Sequence, residues 1–116
     1  MILQTVGILG TEYTTEICTP EEEPILQSCD GFRDKTTHRL VVATKDPTCN
    51  LDDFDAYQRK CLRHETLHAF LFESGLDCNI YRPNGGIGSH DEQMVDWFAS
   101  QYPKIRRVYE ALSVAE

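Results

Sequence analysis

The chain has no run of apolar residues approaching the roughly 20 needed to cross a bilayer. Its apolar opening, Met1 to Gly10, is short. It lacks the basic leading stretch and small-residue cleavage site of a secretion signal, so intracellular residence is the expectation. Basic residues gather only at Arg106 and Arg107, and the formal net charge is −8. Phosphate binding needs a concentrated cationic surface, so a nucleic-acid partner is disfavoured; no membrane partner is expected either. The acidic runs at Glu21-Glu22-Glu23 and Asp52-Asp53-x-Asp55 read as solvated surface. The five cysteines, Cys18, Cys29, Cys49, Cys61 and Cys78, are odd in number and none are spaced C-x-x-C, which in an intracellular chain predicts free thiols. There are no internal repeats and no low-complexity tracts.

What is present fits one domain over residues 1–116, with an apolar fraction of 41%, enough for a single modest core. Residues 1–48 read as mainly β. Leu3 to Leu9 and Glu12 to Cys18 have strand character, and Ile25 to Ser28 is a further short candidate. Cys29-Asp30-Gly31 signals a turn. Thr37 to Thr44 is the best strand, with Leu40 and Val42 on one face and Val41 and Ala43 on the other. Residues 49–116 read as mainly α. Asn50 is a candidate N-cap for a helix of about 22 residues, with Asp52 and Asp53 in its first turn and a stop at Ser74-Gly75. After a loop from Asp77 to Ser89, Ser89 caps a second helix, His90 to Gln101. Pro103 then separates off a third, from Lys104 to about Val114, with Ile105, Val108, Tyr109 and Leu112 on one face. Trp97 and Phe98 are expected in the core. Strands followed by helices indicate an α+β fold, with a three- to four-stranded twisted N-terminal sheet packed on these helices.

The chemistry lies in His64-Glu65-Thr66-Leu67-His68. On a helix, positions four apart share a face, so His64 and His68 can offer two imidazoles to one metal ion. Glu65 can reach a water on that metal as general base. This is the physical content of H-E-x-x-H, and it points to Zn2+ as cofactor. The plain alternative is a pair of ordinary helix histidines. Cys61, one turn before His64, is either close to the metal or a buried, inert thiol.

A further ligand should come from downstream. Glu92 can bind through a carboxylate oxygen, and Asp96, one turn on, can hydrogen-bond the far nitrogen of a zinc-bound imidazole. Ser89-x-x-Glu92 is also a capping box, which would turn Glu92 back to the backbone. His90 and Asp91 are the other candidate ligands. The H-E-x-x-H-x-x-G-x-x-H class is excluded, because Leu71 and Ser74 stand where it needs glycine and histidine.

His64-Glu65-x-x-His68 followed by Glu92-x-x-x-Asp96 resembles the gluzincin arrangement of thermolysin-like enzymes. In size and layout the chain is closer to minimal zinc peptidase-like proteins of phages and mobile elements, the ImmA/IrrE-type group. Gly7-Ile8-Leu9-Gly10-Thr11-Glu12-Tyr13, Asp30-Gly31-Phe32 and the stretch from Arg63 to Leu76 also look like short uncharacterised Firmicute and prophage proteins. The resemblance implies a small zincin-like fold, a glutamate third ligand from a later helix, and residence in a bacterial cytoplasm, or a host's if phage-encoded. The expected activity is zinc-dependent hydrolysis of a peptide or protein substrate. Tyr81, His90, Arg82 and Tyr57 are candidates to stabilise the oxyanion or contact substrate, and Thr37 to Thr44 is a candidate edge strand for an extended peptide. The alternative is a non-catalytic, zinc-stabilised interaction module.

Overall fold

The structure is a computed structural model and describes residues 1–76 and 86–116; of residues 86–91 only the backbone is described. It falls into two compact units, Met1–Ile80 and Tyr81–Glu116.

The first unit begins with a hairpin of β1 (Ile2–Ile8) and β2 (Thr11–Cys18). Its two-residue loop is Leu9-Gly10, and both residues have positive φ, 48° and 90°. That is the requirement of the tight hairpin turn whose twist matches the strands it joins. The candidate strand at Ile25 to Ser28 is instead a short 3-10 turn, Pro24–Gln27. Pro24 fixes φ and lacks an amide proton, and Leu26 alone in the segment is buried. A strand not anticipated, β3 (Gly31–Asp34), follows directly. Thr37 to Thr44 shortens to β4 (Arg39–Ala43). The Asp34 carboxylate accepts from the Thr36 and Thr37 amides at 2.9 and 3.2 Å, which folds the intervening residues into the β3–β4 turn.

The four strands run in the order β1-β2-β4-β3, with β2 parallel to β4 and the other pairs antiparallel. β4 is therefore interior, and the expectation that it forms an exposed edge is overturned; the edges are β1 and β3. Leu40, Val41 and Val42 are at most 1% exposed. A strand covered on both faces reads as a continuous apolar run. The alternation along β4 is as expected: Leu40 packs with Ile8, Tyr13 and Ala69 on one face, and Val41 with Cys18 and Leu26 on the other. Each fully buried side chain of this size contributes roughly 1.5–3 kcal/mol.

Helix α1 (Phe54–Glu73) lies on the Leu40 face. Its cap is Asp53, not Asn50: the Asp53 carboxylate accepts from the Ala56 amide at 3.0 Å. It stops at Ser74-Gly75 as expected, with Gly75 at φ +83° and the Leu76 amide bonding back to the Leu71 carbonyl at 2.9 Å. Its buried stripe is Cys61, Glu65 and Ala69, at four-residue spacing.

The second unit carries α2 (Gly86–Ala111), one continuous helix where two were expected. Pro103 withdraws one amide from the helical ladder without ending it. Ser89 is inside this helix, so it does not serve as the N-cap. Among its residues of described burial, Val95 and Ala99, one turn apart, are buried, whereas Trp97 and Phe98 are 56% and 37% exposed and are not core. Trp97 sits two residues from each buried position, on the far side of a helix of 3.6 residues per turn. Among the described residues, no helix is long and apolar enough to cross a membrane.

Candidate metal centre

The site rests on α1. Because His64 and His68 are four residues apart, their rings meet on one side of the helix, with centroids 4.8 Å apart and planes at 63°. The two Nε2 atoms are 3.2 Å apart. A tetrahedral zinc with bonds of about 2.0–2.1 Å to nitrogen holds two such atoms roughly 3.3 Å apart, so the pair has the bite that zinc requires. Both residues are half-buried, open enough to admit an ion.

Glu65 points elsewhere on the helix cylinder, toward the sheet. It is 9% exposed, and its Cγ would lie 3.5 Å from a Cβ built on Gly31. The Glu65 stem therefore lies against β3 beside Gly31, at ordinary contact distance. A buried carboxylate must be held by partners, and Glu65 has them. The same strand also reaches His68. Arg33, two residues on from Gly31, donates from Nη1 to the His68 carbonyl at 2.8 Å. Its guanidinium lies 5.5 Å from the centre of the Phe72 ring. β3 thus meets the motif helix at Glu65 and His68. In the sequence Gly31 reads only as part of a turn, and Arg33 does not stand out; their contacts with α1 cross 34 and 35 positions of chain, and no local pattern encodes them.

Tyr57, a candidate oxyanion donor, lies about two turns before His64. Its hydroxyl donates to the Asp30 carboxylate, a bond that together with burial pushes its pKa up. Cys61 is buried, and its thiol pKa is raised chiefly by that burial, in keeping with the inert-thiol alternative. Cys18, Cys29, Cys49 and Cys61 are all free thiols. Behind the motif, Tyr13 is fully buried against the His38 ring at 5.1 Å, and burial, followed by the Glu73 charge, raises its pKa.

Of the residues expected from the second unit, Glu92 is exposed and Asp96 half-buried, one turn apart on α2. The capping-box alternative for Glu92 falls with the helix start at Gly86, since Ser89 is already helical. Tyr81 and Arg82 lie outside the described residues, as do Cys78 and the side chains of His90 and Asp91.

Comparison with protein-family models, with curated proteins and with solved structures finds no match. The chain's own geometry defines a small α+β domain whose sheet packs on a helix bearing an H-E-x-x-H motif.

Proposed function

We propose that the protein is a zinc-dependent hydrolase of peptide bonds, of gluzincin-like type, with His64 and His68 as ligands and Glu92 of α2 as the third. The observation that carries this reading is the 3.2 Å approach of the two Nε2 atoms, next in sequence to a buried glutamate. Glu92, a carboxylate on the later helix, is proposed to complete the set. Two imidazoles and one carboxylate form the set that leaves zinc a fourth position for water. Asp96 is proposed to orient a zinc-bound imidazole, and residues 1–116 to act as a single domain. The sheet-then-helix order supports the narrower likeness to ImmA/IrrE-type proteins, and with it a phage or mobile-element setting.

Zinc bound there supplies Lewis acidity and a water of lowered pKa. The chain's own residues do the rest. Glu65 Oε receives the proton of the attacking water and returns it to the leaving amine. The Glu65 stem lies against β3 at Gly31. Arg33 fixes the His68 backbone from β3. An extended peptide has β3 as the nearest free edge for main-chain pairing, in place of the interior β4.

A second reading, a zinc-stabilised interaction module, draws on the inward turn of Glu65. The Glu65→Gln variant separates the two. Zinc is expected to stay bound while hydrolysis of a peptide library falls by at least about 100-fold, in the range general-base catalysis supplies. Undiminished hydrolysis by Glu65→Gln excludes the mechanism. Zinc binding without hydrolysis in wild type leaves the module.

A further inference from the structure

A cavity of about 180 Å³ opens between the first half of α1 and the end of the sheet, wholly within the first unit. It is smaller than the roughly 300 Å³ at which pockets begin to hold a drug-sized molecule, and suits one side chain. Leu26, Leu51 and Phe54 form apolar walls. Its polar groups include Asp30, Asp46 and the Tyr57 hydroxyl, and among the described residues no lysine or arginine lines it. Lys60 lies nearby, 5.2 Å from the centre of the Tyr57 ring, without lining the cavity. The Tyr57 hydroxyl donates to Asp30 and also interacts with the Cys61 thiol. Asp46 Oδ1 is held by the Thr48 amide at 2.7 Å. Asp30 and Asp46 are exposed residues, and apolar walls beside two carboxylates suit an alkyl stem with a cationic head.

The position of the cavity ties it to the motif. Tyr57, Cys61 and Glu65 recur at four-residue spacing, so the cavity and the proposed general base lie on one face of α1. The sheet side repeats the link: Asp30 receives the Tyr57 hydroxyl, and the next residue, Gly31, abuts Glu65. Eight helical residues span about 12 Å. An extended peptide covers that in three or four residues at about 3.3 Å each.

We propose that this cavity is a specificity pocket for a lysine or arginine side chain of the peptide, a few residues from the bond to be cleaved. The proposal rests on the hydrolase reading for the rest of the peptide, but the pocket is tested without activity. Nα-acetyl-lysine methylamide and its uncharged isostere, Nα-acetyl-norleucine methylamide, are titrated into the whole protein and followed by heteronuclear NMR. Zinc content is measured on the same samples. The lysine compound is expected to shift the resonances of Asp30, Ala43, Tyr57 and Cys61 and to bind roughly tenfold more tightly than norleucine, the difference one charge-assisted bond makes. Asp30→Asn, which keeps the shape and one acceptor oxygen, is expected to remove that preference and leave zinc content unchanged. Equal binding of the two compounds by wild type, or shifts elsewhere in the protein, overturns the pocket whatever the variant does. Lysine selectivity in a protein that takes up no zinc supports the pocket and counts against the metal reading alone.

Discussion

Replacing Gly31 by alanine tests the close packing of β3 against β4. The new Cβ would fall 3.0 Å from the Val41 carbonyl oxygen, 3.4 Å from Val42 Cγ1 and 3.5 Å from Glu65 Cγ. The first is a backbone atom of the partner strand and cannot swing away. Overpacking of a tight site costs roughly 1–3 kcal/mol. The lower entropy of the unfolded alanine chain returns about 0.4–1 kcal/mol. The net expectation is a loss of about 1 kcal/mol, a fall in Tm of roughly 3–5 °C for a chain of this size. Thermal unfolding followed by circular dichroism measures it. Gly7→Ala is the control, since a Cβ at Gly7 meets nothing within 4 Å. It is expected to be neutral or slightly stabilising. If Gly31→Ala were as stable as Gly7→Ala, the close approach of Gly31 to the Val41 carbonyl would be wrong.

Two further perturbations test the fold. Pro103→Ala restores an amide to α2 and is expected to stabilise that helix by up to about 3 kcal/mol, read as a higher helical melting temperature; no gain would mean that the helix breaks there. On the other face of the sheet, Arg39 donates to both Glu16 oxygens, at 2.8 and 3.1 Å, and also to Glu23. The bonds from Arg39 hold the Glu16 carboxyl below its ordinary value of 4.5. A carboxylate with a depressed folded pKa stabilises the fold above its unfolded pKa, and that contribution is lost as pH falls through the folded value. Glu16→Gln is therefore expected to cost roughly 1.5–3 kcal/mol at neutral pH, with the gap to wild type closing below about pH 4.5. Urea unfolding at pH 7 and pH 3.5 checks this; a gap that does not narrow rules out the pair as its source.

Features fixed by local chemistry were legible in the sequence. The first two strands, the two-faced packing of β4 and the stop of α1 at Gly75 each depend on residues within one turn or one strand. Features settled by competition between neighbours were not. Asn50 and Asp53 both suit an N-cap, and the carboxylate that reaches the Ala56 amide decides between them. Pro24 reads as the start of a strand or of a 3-10 turn. β3 has four residues, two of them charged, too few for an alternation to be seen. Pro103 reads as a break because its local cost is real, yet α2 runs through it. The histidine pair was visible because H-E-x-x-H is a helical spacing. The roles of Gly31 and Arg33 were invisible because they come from the strand order that brings β3 beside α1.

Metal content of the purified protein tests the central claim most directly, with wild type and His68→Ala prepared side by side. Wild type is expected to retain about one equivalent of zinc after dialysis against metal-free buffer. His68→Ala, left with one imidazole of the pair, is expected to lose most of it while keeping its helical circular dichroism. Equal zinc in the two proteins, or none in wild type after zinc is supplied, would contradict the assignment of His64 and His68 as metal ligands.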